Sequence, residues 1–299
     1  MLKEQTLFGE NDKVAKSIER IKFASNMADK QGLGALYVAF SGGKDSTCMA
    51  ELCKMAGVPY ELHYNITTID PPEVMEFMRE NYPELHWHLP EQSMMSLIIE
   101  KHMPPTRIAR FCCAELKERG GQGRMCLTGV RWAESVRRKN TRKPFEQFSS
   151  ERMLFNDNDD ERRQFEHCAL KGKFVVNPII DWTEEDVWEF IHSRKLTYCK
   201  LYDMGFKRIG CIGCPNGTTK HREFEFARYP KMKELYIKTF DKMLAEMPDD
   251  TNRSWKTGED VFNWWLYGDG NKHDEKQIKI KDLEDLVFQS QFNDLTTAT

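Results

Sequence analysis

No run of apolar side chains in this chain approaches the roughly 18–20 residues needed to cross a bilayer. A surplus of either charge is also missing: 44 Lys and Arg stand against 47 Asp and Glu, for a net charge of −3. That near-balance excludes nucleic-acid binding by bulk attraction and leaves only a local basic patch for such a partner. The opening Met1-Leu-Lys-Glu-Gln-Thr-Leu-Phe-Gly-Glu10 is too charged for a secretion signal, so a cytoplasmic location without membrane association is expected. Nine cysteines are an odd number, and without such a signal a disulfide framework is not expected. Clustered thiols in this setting point to metal or redox chemistry. Cys48, Cys53 and Cys126 sit among apolar neighbours and are read as small core side chains. Gly43-Lys44 does not complete a Gly-x-x-x-x-Gly-Lys-Ser/Thr phosphate loop, because Val38 stands where the first glycine is required and Asp45 where the hydroxyl is required.

What is present is a globular composition, 40% hydrophobic and 30% charged over 299 residues, enough for one large domain with or without an appendage. Apolar positions Val14, Ile18, Ile21, Phe23 and Met27 predict a helix over 11–32. Strand-like runs over 35–40, 60–65, 85–89, 125–130 and 174–180 alternate with helical segments. That alternation predicts an α/β fold, a doubly wound parallel sheet followed by a C-terminal helical region. The domains read as an N-terminal helical segment over 1–34, a nucleotide-binding α/β domain over 35–215 and a helical region over 216–299. Residues 139–173 are highly charged, with an acidic run Asp157-Asn-Asp-Asp-Glu161, and read as a mobile loop or lid. The segment Asp260-Val-Phe-Asn-Trp-Trp-Leu-Tyr267 is too aromatic to be left in water and is expected to pack onto the main domain or cover its site.

The chain is organised around Ser41-Gly-Gly-Lys-Asp-Ser46, placed between the first buried strand and a helix. Gly42 and Gly43 let backbone N–H groups approach a ligand, and the helix start turns its positive end to the same spot. Lys44 adds a mobile charge, and Ser41 and Ser46 add hydroxyls. Thr67 falls just beyond the second strand, where open parallel sheets bind ligands. Beyond the fourth strand, Gly129 permits a sharp exit, and Arg131 and Arg137 offer paired donors to phosphate oxygens. A separate constellation pairs Cys112-Cys113 with the knuckle Cys211-Ile-Gly-Cys214. Four such thiolates suit an iron–sulfur cubane, whose neighbouring irons accept adjacent cysteines; a structural zinc ion is the alternative metal. Recruitment of Cys168 or Cys199 in place of Cys112 or Cys113, and a set of merely buried thiols, stay open.

These motifs, with Asn177-Pro-Ile-Ile-Asp-Trp-Thr-Glu-Glu-Asp-Val-Trp188, resemble the phosphoadenosine phosphosulfate reductase family, a branch of the PP-loop ATP pyrophosphatase superfamily. The resemblance covers about residues 35 to 215. It implies a parallel α/β sheet with an adenine nucleotide above the strand ends, and a 4Fe-4S cluster on Cys112, Cys113, Cys211 and Cys214. True reductases attack with a cysteine near the C-terminus, and no cysteine follows Cys214 here. They also usually lack the full Gly-Gly-Lys-Asp-Ser sequence, which members that use ATP carry. The resemblance therefore implies an enzyme that cleaves ATP to AMP and pyrophosphate, activating a substrate for sulfur transfer from a sulfur donor protein. Lys44, Asp45 and Arg131 would be catalytic, with Asp45 orienting Mg²⁺ or serving only as a helix-start carboxylate. Two alternatives accompany this reading. One is reduction of an adenylyl sulfate by an external thiol, and the other is a non-catalytic nucleotide-binding subunit with a structural metal site. Sulfate adenylyltransferase small subunits, of the same superfamily, lack the cysteine set.

Overall fold

The computed structural model describes residues 2–6, 9–148, 173–247 and 255–268. They form two compact units, one from Met1–Pro90 with Ala114–Gly210 and the other from Glu91–Cys113 with Cys211–Thr299.

The first unit is built on a six-stranded sheet. Its strands are β3 (Leu36–Ala39), β4 (Tyr60–Asn65), β5 (His86–His88), β6 (Met125–Leu127), β7 (Phe145–Phe148) and β8 (Lys173–Val176), in the spatial order β5-β4-β3-β6-β8-β7. All neighbours are parallel except β7, which runs antiparallel to β8 at the edge. The expected α/β class with a mostly parallel sheet and flanking helices is what the chain adopts. An antiparallel hairpin, β1 (Lys3–Thr6) and β2 (Gly9–Asp12), precedes the first helix. The reading of residues 139–173 as one loop is corrected at its start, where β7 pairs Phe145 with Val176. Phe145-Glu-Gln-Phe148 has no period-2 alternation, its two apolar residues being three apart, so nothing marks it as a strand among charged neighbours. The remainder of that segment, with Asp157–Glu161 and Cys168, lies outside the described residues.

Helix α1 (Lys13–Lys30) forms as expected, but its buried stripe is Lys13, Ser17, Ile21, Ala24, Ser25 and Ala28. Phe23 is instead 53% exposed. The stripe carries polar groups because it docks on the Asn177–Asp186 segment through hydrogen bonds. Trp182 Nε1 donates to Ser17 Oγ at 3.0 Å, and the Ser17 hydroxyl donates to the Pro178 carbonyl at 3.0 Å. Arg20 forks onto both oxygens of Asp181 at 2.8 and 2.9 Å. Lys13 Nζ meets Asp186 Oδ2 at 2.6 Å with both residues buried. Hydrophobic spacing alone does not reveal such a face.

Helix α2 (Lys44–Ala56) follows β3 and ends at Gly57 in the left-handed region. The next helix, α3 (Pro72–Asn81), carries proline in its first turn, where the ring costs no hydrogen bond. The intended core cysteines Cys48, Cys53 and Cys126 are buried.

On the β3–β4–β5 strands, the Tyr37 and His63 rings stack at 3.9 Å between centroids, 6° from parallel. His63 Nδ1 lies 2.9 Å from His88 Nε2, and its Nε2 lies 3.1 Å from Glu61 Oε2, which Arg124 also holds at 2.7 Å. Burial drives the His63 imidazole down to about 4, against the pull of Glu61 and with the help of Arg124, His88 and His86. A base depressed in this way adds stability that is present above its ordinary 6.5 and lost as pH falls toward 4. Melting curves between pH 7 and pH 4.5 should show a loss approaching about 1.4 kcal/mol per pH unit from this group. A His63→Gln variant should show a flatter profile.

The second unit contains α4 (Met94–Glu100), α8 (Thr219–Arg228), α9 (Pro230–Glu246) and α10 (Gly258–Tyr267). Helices α5 (Phe111–Leu116), α6 (Val136–Thr141) and α7 (Glu184–Ser193) complete the chain order. The aromatic residues of α10 pack inside this unit: Trp265 meets Tyr236, Phe240, Phe226 and Phe262, and its Nε1 donates to the Pro105 carbonyl at 2.6 Å.

Candidate nucleotide site and cysteine centre

Strand order reverses between β3 and β6, since β4 and β5 continue on one side and β6 and β8 on the other. Ligands of open α/β sheets bind at such a switch point, outside the carboxyl ends of the strands. Ser41–Ser46 leaves β3 there and Gly129–Arg131 leaves β6. Gly42 has φ +68°, and a Cβ on it would lie 2.8 Å from Val74 Cγ1 and 3.1 Å from Met78 Sδ. A Gly42→Ala variant should therefore lose about 1–3 kcal/mol of stability, read by urea unfolding, through left-handed strain and overpacking against α3. A Cβ on Gly129 would lie 3.2 Å from Asp45 Cβ, so this glycine brings the β6 exit against the first turn of α2.

Gly43 caps α2 in an extended conformation without a side-chain bond, and the Lys44 N–H donates to Tyr202 Oη at 2.9 Å. The Ser46 hydroxyl donates to the Gly43 carbonyl at 2.8 Å and accepts from Ser41 at 3.3 Å, which shapes the loop.

Four charged side chains alternate in sign at this point. Lys44, 5% exposed, places Nζ 3.3 Å from Glu184 Oε1 and 3.7 Å from Asp45 Oδ2. Its ammonium also lies 3.4 Å from the Lys207 carbonyl and 5.3 Å from the Tyr202 ring centroid. Arg131, 3% exposed, gives Nε to Asp45 Oδ1 at 2.6 Å and Nη2 to Glu184 Oε2 at 2.8 Å. Burial pushes the Tyr202 phenol up, which keeps it a neutral hydroxyl. The counter-charges of these two buried cations include the half-exposed Glu184, the partner that an incoming anion could displace most easily.

Lys44, Asp45, Arg131 and Gly129 thus come together. Thr67 is committed locally: its N–H and hydroxyl both go to Asp70, at 2.7 and 2.6 Å. Arg137 is exposed on α6. Sequence reasoning missed Glu184, Tyr202 and Lys207. The signal for Glu184 was its position at a helix start just beyond β8; the carboxylates there read as helix capping, which is the role Asp186 takes with Thr183. Tyr202 and Lys207 carried no signal of their own.

The second unit holds Cys112, Cys113, Cys211 and Cys214. Gly213 makes the knuckle possible, with φ +74° and a Cβ position 2.6 Å from Phe226 Cζ. Its N–H donates to Glu225 Oε2 at 2.9 Å, and Tyr236 donates to the Ile212 carbonyl at 3.1 Å. A hydrogen bond that the Cys112 thiol gives to Cys113, burial, and the charges of Cys113, Cys211 and Cys214 push the Cys112 thiol well up, so the four thiols share one electrostatic neighbourhood. The eight described cysteines form no disulfide. Among the described residues, no three His, Cys, Asp or Glu side chains close into a metal-holding group. The chemistry of the donor set, two soft thiols from α5 and two from the knuckle, nevertheless fits an iron–sulfur cluster or zinc. Cys199 belongs to the first unit, buried, with its thiol on the Glu73 carbonyl at 3.8 Å.

The chain is 26% identical over 234 residues to an uncharacterized protein of Methanocaldococcus jannaschii, covering 76% of this chain and 51% of that protein. It is 27% identical over 188 residues to an adenosine 5'-phosphosulfate reductase of Anoxybacillus flavithermus, covering 60% of this chain and 72% of that one. The match thus spans about half the length of the first relative. A solved phosphoadenylyl-sulfate reductase from Candida auris, a phosphate complex, aligns at TM-score 0.43 and 18% identity, over 64% of this chain and 87% of that chain. The model of the phosphoadenosine phosphosulfate reductase domain matches residues 35–217. With well over half of its length inside that match, the chain belongs to the phosphoadenosine phosphosulfate reductase domain family.

Proposed function

We propose that this protein cleaves ATP between its α- and β-phosphates to activate an acceptor for sulfur transfer. The observation that carries the reading is Lys44, buried at the start of α2 beyond the end of β3 and held by an exchangeable carboxylate. An acceptor oxygen attacks the α-phosphorus, the bridging P–O bond breaks, and pyrophosphate leaves with the charge that builds on it. Lys44 and the N–H groups of α2 stabilise that charge, and Arg131 neutralises the α-phosphoryl oxygens. Asp45 and Glu184 offer hard oxygen ligands to the Mg²⁺ that accompanies ATP. A sulfide-level nucleophile then forms the carbon–sulfur bond while the carbon–oxygen bond to AMP breaks. Cys112, Cys113, Cys211 and Cys214 would hold a 4Fe-4S cluster, one thiolate to each iron, which would supply electron-transfer chemistry.

A second reading has an observation of its own. The similarity to an adenosine 5'-phosphosulfate reductase favours adenylyl sulfate as the nucleotide, with an external thiol taking the sulfonate. Anaerobically purified protein incubated in parallel with Mg-ATP and with adenylyl sulfate plus a dithiol separates the two. AMP and pyrophosphate from the first with no sulfite from the second supports ATP cleavage; sulfite from the second alone overturns it.

A further inference from the structure

Arg222 of α8 is a buried cation with two guanidinium donors unpartnered among the described residues. It is 5% exposed, and only one side of its guanidinium is satisfied: Nη1 donates to the Trp265 carbonyl at 2.7 Å, and the group lies 4.1 Å over the Trp265 ring. Nε and Nη2 are buried and meet no acceptor among the described residues. Glu225, on the same helix, is engaged elsewhere, with Oε2 on the Gly213 N–H and Oε1 at 3.2 Å from His221. A buried guanidinium with two idle donors is strongly disfavoured unless an anion completes it.

The surroundings name the anion. Arg222 Cγ packs at 3.4 Å from a Cβ position on Gly217, whose N–H bonds to the Cys214 carbonyl at 2.8 Å. Tyr236 and Cys214 lie within electrostatic reach of its guanidinium, and Tyr236 is itself beside Cys211, Cys112 and Cys214. Two more arginines border the same thiols. Arg110 Nη2 donates to Cys113 Sγ at 3.5 Å, and Arg107 braces the knuckle through the Pro215 and Gly217 carbonyls at 2.8 and 3.1 Å. Four thiolates outweigh the charge of the metal they bind, so a loaded centre is anionic, and its sulfurs accept N–H bonds.

We propose that Arg222 is the counter-cation of an anionic metal–thiolate centre on Cys112, Cys113, Cys211 and Cys214, supplying its two idle N–H donors to the sulfurs. This rests on the metal reading of the cysteines given above. Arg222 is a positioning residue: it holds the charge of the centre and touches no substrate. Its removal weakens the centre and makes it harder to reduce, because an added electron loses a nearby positive charge.

The test uses full-length protein, wild type, Arg222→Gln and Arg222→Lys, each reconstituted anaerobically with iron and sulfide and, separately, titrated with zinc against a chromophoric chelator. Iron and sulfide per chain, retention against the chelator and the midpoint potential are read, with melting of the metal-free forms as the check on folding. Arg222→Gln should hold its metal about 10- to 100-fold more weakly than wild type and titrate at a more negative potential. Arg222→Lys, which keeps the charge without the fork, should fall between them, and it carries the test if the Gln variant fails to fold. Wild-type-like retention and potential in a folded Gln variant, or in Lys where Gln does not fold, would overturn the role of Arg222 and leave the cluster reading intact. Arg222-dependent zinc binding without iron uptake supports the counter-cation and sinks the cluster; wild type that holds neither metal overturns both.

Discussion

Replacing Lys44 with alanine is expected to slow release of AMP and pyrophosphate from ATP by at least about 100-fold, with little change in melting temperature. One preorganised donor on the departing charge is worth on the order of 3 kcal/mol of transition-state stabilisation, which sets the size of the effect. The fold should tolerate the change because Glu184, one of the two carboxylates that lose the ammonium, is half-exposed and keeps Arg131 at 2.8 Å. Arginine at position 44 should not rescue fully: the side chain is 5% exposed, and a planar fork does not fit where a point charge sits over the Tyr202 ring. Chromatographic quantification of AMP under single-turnover conditions reads the loss directly. Unchanged AMP formation in Lys44→Ala would remove the cradle from the chemistry.

The largest expected effect on stability is at Asp186, far from any assigned chemistry. Asp186→Ala should cost about 3–5 kcal/mol in urea unfolding, because it strands the Lys13 ammonium in a buried position. It also removes the reciprocal cap at the start of α7, where Thr183 and Asp186 hold each other's N–H groups. Burial raises the Asp186 carboxyl, but Lys13 and the Thr183 N–H outweigh it and hold it near about 2. The sign is that of a depressed acid: this stability is present above the ordinary 3.8 and lost as pH falls through about 2. A double variant that also replaces Lys13 with methionine should recover much of the loss, since an apolar pair no longer leaves a charge unsatisfied. If the single variant unfolds like wild type, the pair is not what joins α1 to the Asn177–Asp186 segment.

How much of this was legible in the sequence depends on what each feature is made of. Strands such as Tyr60–Asn65, where Tyr60, Leu62 and Tyr64 alternate with polar residues, and the Gly42-Gly43 turn announce themselves, so the α/β class and the place of the cradle could be read in advance. The buried stripe of α1 could not, because Lys13 and Ser17 are core only by virtue of partners 161 to 173 residues away in the chain. The same limit applies at the site. Asp45 and Arg131 were legible as candidates, but their 2.6 Å contact depends on a parallel β3–β6 pairing that the sequence does not specify. Glu184 was hidden by looking like a capping residue beside Asp186, which is one. Tyr202 and Lys207 reach Lys44 from a loop with no regular pattern. Arg222 was similarly silent, since an arginine in a helix reads as a solvated charge until its burial is seen.

The central claim is that the start of α2 is a receptor for the phosphates of ATP. The most direct measurement is calorimetric titration of wild type and Lys44→Ala with the α,β-methylene analogue of ATP and Mg²⁺, which binds without being cleaved. The account predicts saturable binding at one site in wild type and an affinity at least about 10-fold weaker in Lys44→Ala, the loss of one charge-assisted contact. Equal binding by the two proteins, or none by wild type, would contradict it.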